Sequence, residues 1–446
     1  MVLFLTVFCS VVALISWAKL KNPFNPFTFM FALWSLWIPL SDTGFHNMKH
    51  PSPKTYSVIL CGLTAYLIGA LIGYFCVGIR IKKTSDSNSV QKLYVNYWLV
   101  HFLCCISILF YLYQCSKVIP LLLSGHDLGY IRDLLFSYEE NEMRSSGLIV
   151  ILNNFMVTPT TYFMMAYLPV EVFREKDRNN YLIAEIIIML VLWIFTTGGR
   201  TVLLFMGVSL LCVYLQKLKD KKLSIYLLLR NKIKKTSKLK KFLILGGCTS
   251  ILVVAMFMIT FSRSGEKVDI LRTLYIYFGA PIEFLDYNIN LIDNEHSNIY
   301  GYGVSSFYGF IYPIMFLLRI LYIVNPYPAH MILIHDMSVG NLQNVVNLGG
   351  DININAFATL FYQPYLDGRF VGVAIILALL GFVGSLFYFK WTKQKSILYQ
   401  TAYLLILHKI LFSMVRFWFT QPGQAISLIL AFIVISPYAL KIKVKR

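Results

Sequence analysis

The chain has 446 residues, of which 57% are hydrophobic, 16% aromatic and only 14% charged, against roughly 25% charged residues in an average soluble domain. That balance excludes an ordinary soluble protein. The net charge of +19 would suggest nucleic acid in a soluble chain, but here it sorts by side of a membrane and carries no such implication.

Apolar blocks bounded by charges or Pro/Gly clusters predict eleven spans, at 2–18, 24–40, 55–79, 94–116, 148–170, 181–197, 201–215, 242–262, 370–389, 397–415 and 422–440. Each approaches the length a helix needs to cross a bilayer core of roughly 30 Å. The expected fold class is therefore an all-α polytopic membrane protein, with residues 1–446 as a single membrane domain. The connections at 19–23, 80–93, 171–180, 216–241, 390–396 and 441–446 hold 2, 4, 3, 11, 3 and 4 Lys or Arg, 27 of the chain's 40. These six connections alternate along the chain and so share one side. The positive-inside rule makes that side cytoplasmic, with an external N-terminus and a cytoplasmic C-terminus. Of the 21 acidic residues only five lie in those segments and one, Glu185, in a span. The acids thus favour the opposite side. The 216–241 loop is the basic cytoplasmic one, and its run from Lys232 to Lys241 can contact anionic headgroups.

All eight cysteines fall inside apolar spans, and neither a CxxC nor a Cys/His spacing suited to zinc occurs. The sequence has neither a P-loop nor a dinucleotide fingerprint. No metal and no cofactor is expected.

Two long connections fall on the external side, at 117–147 and 263–369. Loops of that length in a compact protein usually carry function. Within the second, VSSFYGFIYPIMFLLRILYIV at 304–324 is apolar but interrupted by Pro313 and Arg319. A full crossing there would invert everything downstream, so it is expected to be re-entrant or to lie along the interface. His46 and His50, in the first external turn, read as solvated loop residues.

The external arginines Arg132, Arg144, Arg200, Arg263, Arg272, Arg369 and Arg416 lie at span ends or in adjoining loops. Guanidinium groups offer planar bidentate hydrogen bonds to phosphate, so as a group they point to anion binding. Snorkelling to the headgroups is the bland alternative for each. The four selected as diphosphate ligands are Arg132, Arg200, Arg263 and Arg272. Arg200 follows Gly198 and Gly199 in a tight interhelical turn, where exposed amides and the start of a helix also favour an anion. Candidate bases are Glu139 and Glu140 in FSYEENEMRSS, His335 in YPAHMILIHD, and Asp351 in GGDININAF. A helical reading offsets His330 and His335 by about 500°, so they do not share a face.

Four stretches resemble the oligosaccharide repeat-unit polymerases, the O-antigen and capsule polymerase family of bacterial envelopes. They are HDLGYIRDLLF at 126–136, TTGGRT at 196–201, SRSGEKVDILRTLYIYFGAPIEFLDY at 262–287 and NAFATLFYQPYLDGRFVGV at 355–373. The last is similar to the family's Asn, aromatic, Tyr-x-Asp-x-Gly pattern, although here Gly368 follows Asp367 directly. The resemblance implies a fold of the GT-C type of lipid-sugar glycosyltransferases and a metal-independent transfer of glycan between undecaprenyl diphosphate carriers. The enzyme would sit in the bacterial cytoplasmic membrane with its active face external. Its implied partners are lipid-linked oligosaccharides, membrane lipids, and chain-length regulator and flippase proteins. A ligase that hands finished glycan to another acceptor shares the arginine logic. A flippase or transporter instead predicts a cavity lined by ionisable groups and short loops.

Overall fold

The computed structural model describes residues 1–84, 94–127, 129–131, 134, 147–175, 178–199, 201–220, 270–350 and 352–436. The chain is mostly helical among the described residues. Its helices are α1 (Val2–Leu20), α2 (Pro26–Ser41), α3 (Pro53–Thr84), α4 (Tyr97–Leu123), α5 (Leu148–Val172), α6 (Asn180–Thr197), α7 (Thr201–Asp220), α8 (Ile270–Phe278), α9 (Ala280–Glu295), α10 (Val304–Ile320), α11 (Ala329–His335), α12 (Tyr362–Gln394), α13 (Ile397–Leu411) and α14 (Pro422–Val434). Among the described residues the strands form two short antiparallel pairs, β1 (Tyr94–Val95) with β4 (Ile435–Ser436) and β2 (Val346–Asn347) with β3 (Asn353–Ile354).

Among the described residues seven helices are long and apolar enough to cross a membrane: α1, α3, α4, α5, α6, α7 and α12. Three further expected spans coincide with α2, α13 and α14, which have 16, 15 and 13 residues. These fall short of the about 20 needed for a straight crossing. The expected span at 242–262 lies outside the described residues. Long apolar side chains such as Leu3, Phe4 and Leu14 of α1 or Ile187, Ile188 and Val191 of α6 are exposed on the protein. In water that surface would be a liability; in a bilayer it is solvated by lipid.

The chain forms two compact units, one made of Met1–Lys92 with Asp269–Ile429, the other of Leu93–Val268 with Leu430–Arg446. In the first, α3 and α12 make the most extensive helix pair. Small residues allow it. Gly69 and Gly73 stand four apart on α3, and a Cβ on Gly69 would sit 1.9 Å from the Ala378 carbonyl oxygen. Gly381 on α12 meets the Tyr66 carbonyl oxygen in the same way, at 2.2 Å. Backbones that touch gain dispersion along their whole length, the chief attraction where lipid removes the hydrophobic drive between helices. Helix α2 starts at Pro26 behind Asn25, whose side chain accepts the Thr28 amide at 2.9 Å, an N-cap with proline at the first helical position.

In the second unit a buried carboxylate organises one end. Glu171 is fully buried at the end of α5 and accepts from Tyr167 Oη at 2.7 Å, Tyr97 Oη at 3.2 Å and the Asn179 amide at 2.7 Å, with Arg174 at 3.3 Å. Asn179 in turn caps α6 through the Leu182 amide at 3.1 Å. Donors meet both oxygens of the carboxylate, which makes its burial tolerable.

Candidate functional site in the first unit

One end of the first unit gathers the turn at 42–52, the β2–β3 hairpin and helices α8 to α11. The Lys49 amide donates to the Leu348 carbonyl at 2.9 Å. The hairpin turns at Gly349 and Gly350, both with positive φ, which lets its backbone press against the carbonyls of Asn47 and His46. Phe278 of α8 stacks on Trp37 of α2 at 6.3 Å, and Tyr275 lies against Phe45 at 5.6 Å.

Helix α9 carries the polar chemistry. Glu283, Asp286, Asn290 and Asp293 follow at steps of three, four and three, which confines them to about 80° of the helix surface. Asp286 Oδ1 accepts the Ser52 amide at 3.0 Å and Thr55 Oγ1 at 2.6 Å, and also the Ser52 hydroxyl. A carboxylate there complements the first turn of α3 and its dipole. Glu283 is 4% exposed and its Oε2 has no hydrogen-bond partner. Burial, reinforced by the charge of Asp286 and opposed by Lys49, pushes its carboxyl up to about 7. A carboxyl balanced near neutrality can take or give a proton at little cost. Its oxygen is shielded in this conformation, so a substrate hydroxyl reaches it only if the covering turn yields.

Asp293, at the far end of the stripe, holds Arg369. Tyr365 Oη donates to Asp293 Oδ2 at 2.8 Å, Lys54 pairs with the same oxygen, and Arg369 Nε lies 3.4 Å from Oδ1. Arg369 Nη2 donates to the carbonyls of His296 at 3.0 Å and Ser297 at 3.2 Å, and the guanidinium sits 4.9 Å from the Tyr300 ring centroid. Its Nη1 is buried with no partner. The backbone is strained to reach this arrangement: Arg369 has φ 53° and ψ −135° at a break within α12. For a non-glycine residue such a conformation costs about 1–3 kcal/mol and tends to occur at binding or catalytic positions.

The preceding residue but one, Asp367, is a structural anchor. Its two oxygens accept the Ser305 and Ser306 amides at 2.9 and 2.8 Å, capping α10, while the Tyr302 amide donates to its carbonyl at 3.0 Å. Gly301 is needed beside it, since a Cβ there would lie 2.3 Å from Asp367 Oδ1. The stretch Tyr365, Asp367, Arg369 thus divides its work: one residue braces Asp293, one caps α10, and one presents a guanidinium.

Two of the eight selected residues fall within the described part. His335, half-buried at the end of α11, lies against the Tyr308 ring, tilted by 38° at 4.4 Å, and 3.7 Å from Asp336. Burial lowers its pKa, with Asp336 opposing, so the neutral imidazole, the form able to accept a proton, is favoured. His330 sits instead by Tyr302, at 6.1 Å, in keeping with the two histidines facing different ways. Arg272 lies half-buried on α8 and is engaged by neighbouring groups. Glu139, Glu140, Asp351, Arg132, Arg200 and Arg263 lie outside the described residues. Sequence reasoning did not select Glu283, Asp293 or Tyr365, and left Arg369 outside the four arginines it chose from seven. The three-four-three spacing on α9 is the signal that could have found the first two.

Among the described residues no group of three or more His, Cys, Asp or Glu is placed to hold a metal ion. Comparison with protein-family models, with curated proteins and with solved structures returned no match.

Proposed function

We propose that this chain is a polymerase that joins lipid-linked oligosaccharide repeat units on the outer face of the bacterial cytoplasmic membrane, as a metal-independent glycosyltransferase with undecaprenyl diphosphate carriers. The observation that carries the reading is Arg369, a guanidinium held on a strained backbone with one buried donor unused, within a stretch that resembles the family's Tyr-x-Asp pattern. In such a reaction the acceptor sugar's hydroxyl attacks the anomeric carbon of the donor glycan. The bond from that carbon to the diphosphate oxygen breaks, the hydroxyl proton passes to a base, and the diphosphate leaves with its charge to be stabilised. Arg369 supplies the planar donor for the leaving group, together with the arginines selected from the sequence, Arg132, Arg200, Arg263 and Arg272. His335 and Glu283 are the described groups suited to take the proton. The excess of basic residues in the alternate loops supports an external placement of this end.

The test is elongation of purified lipid-diphosphate repeat units by the protein in nanodiscs, without nucleotide, ion gradient or divalent cation. Wild-type protein is expected to elongate. Arg369→Gln is expected to lose at least about 100-fold of the rate, and Arg369→Lys to recover part of it, since an ammonium keeps the charge but not the fork. Elongation abolished by chelator and restored by one divalent ion would defeat the metal-independent mechanism. A deletion strain that accumulates full-length unattached glycan, rather than single repeats, would replace polymerase by ligase.

A further inference from the structure

Helix α10 presents two distinct faces. At 100° per residue, Tyr308, Tyr312, Phe316 and Arg319 form one stripe, and Ile314, Leu317, Ile320 and Leu321 form another beside it. The first stripe is packed from within: Tyr308 and Tyr312 stack at 5.4 Å, Tyr312 meets Phe316 at 6.1 Å and Tyr327 at 6.2 Å. The second stripe has no covering, and each of its four residues is more than half exposed. The helix ends at Ile320, and two residues on, Tyr322, with φ 56°, turns the chain and leaves Tyr322 and Ile323 projecting, 87% and 66% exposed.

A cation stands in this apolar surface. The Arg319 guanidinium lies 4.7 Å from the Tyr327 ring centroid, and among the described residues no carboxylate or carbonyl accepts from it. It opens onto a cavity of about 440 Å³ lined by Phe316, Arg319, Ile320, Tyr322 and Asn325. Arg319 is itself exposed at this surface, and a guanidinium with no hydrogen-bond acceptor from the described residues matches a phosphate. Tyrosines and an arginine bordering an aliphatic face are the composition of a membrane interface. The helix rises only about 24 Å over its 17 residues, less than a bilayer core. Arg319 lies about 20 Å along α10 from the end capped by Asp367, so its ligand is separate from the diphosphate assigned to Arg369.

We propose that the C-terminal half of α10 beds in the lipid interface and that Arg319, over Tyr327, binds the headgroup phosphate of an anionic glycerophospholipid. The aliphatic face meets the acyl chains, and the cavity receives the phosphate. This does not depend on the polymerase reading.

The experiment uses the full chain in detergent, titrated with phosphatidylglycerol or phosphatidylcholine and followed by thermal unfolding and by native mass spectrometry of retained lipid. Wild-type protein is expected to retain phosphatidylglycerol preferentially and to gain thermal stability from it. Arg319→Gln is expected to bind it about tenfold more weakly, the loss of one charge-assisted contact, and Arg319→Lys to fall between. Unchanged phosphatidylglycerol retention in a folded Arg319→Gln protein would overturn the proposal. So would displacement of the lipid by inorganic diphosphate, which would make the site one for diphosphate. Should Arg319→Gln fail to fold, Tyr327→Leu removes the ring beneath the guanidinium and is expected to weaken the same preference; an unaltered preference there would equally defeat it.

Discussion

Arg369 and Asp293, 76 positions apart in the chain, meet at 3.4 Å, and Tyr365 Oη holds the same carboxylate at 2.8 and 3.0 Å. Asp293 therefore orients the guanidinium from Nε and leaves Nη1 without a partner. Asp293→Asn keeps the shape but removes the charge that Lys54 and Arg369 share. It is expected to cost about 1–3 kcal/mol, read as a fall in thermal midpoint in detergent, and to reduce elongation. Tyr365→Phe is expected to reduce elongation less, since Arg369 keeps its ion pair. Wild-type elongation in Asp293→Asn at equal protein level would remove Asp293 from the positioning of Arg369.

Glu283 gives a pH signature. Its folded-state pKa, about 7, lies above the ordinary carboxyl value of 4.5 because of burial and Asp286. The folded protein then binds more protons than the unfolded one across that interval. Stability contributed by the protonated form is present below about 4.5 and is lost as pH rises to about 7. The full difference is about 3 kcal/mol at most. Glu283→Gln is expected to flatten the fall of thermal midpoint between pH 5 and 7, and parallel curves for the two proteins would contradict this.

Gly69 tests the close pairing of α3 and α12. Its Cβ position is 1.9 Å from the Ala378 carbonyl oxygen, a backbone atom that cannot swing away. Gly69→Ala is expected to destabilise the protein by about 3 kcal/mol through overpacking, whereas Gly78→Ala, with open space around it, is expected to be neutral. Equal thermal midpoints for the two variants would mean that α3 and α12 do not approach so closely.

The sorting of charge predicts sidedness. In intact cells an impermeant thiol reagent is expected to label a cysteine placed at Asn298, which is exposed, and to spare one placed at Ser237 in the basic loop. The reverse pattern would invert the topology and move the Arg369 end to the cytoplasm.

The membrane class was legible because lipid solvation demands long apolar helices, and such runs are contiguous in sequence. The re-entrant or interfacial expectation for 304–324 rests on Pro313, Arg319 and the charge inversion a full crossing would impose downstream, and the helix found there, 17 residues, is too short for a straight crossing. What the chain could not display is which polar groups meet. Asp293 is followed by 75 residues before Arg369, and nothing local in either segment signals that the two side chains pair. Its strained φ, its free Nη1 and the shielding of Glu283 arise only when α9 is clasped between the 42–52 turn and the break in α12. Periodicity specifies which residues share a face of one helix. Contact between faces, and with it the burial that raises a carboxyl or leaves a donor unused, is a property of packing among segments distant in sequence, and only the tertiary structure decides it.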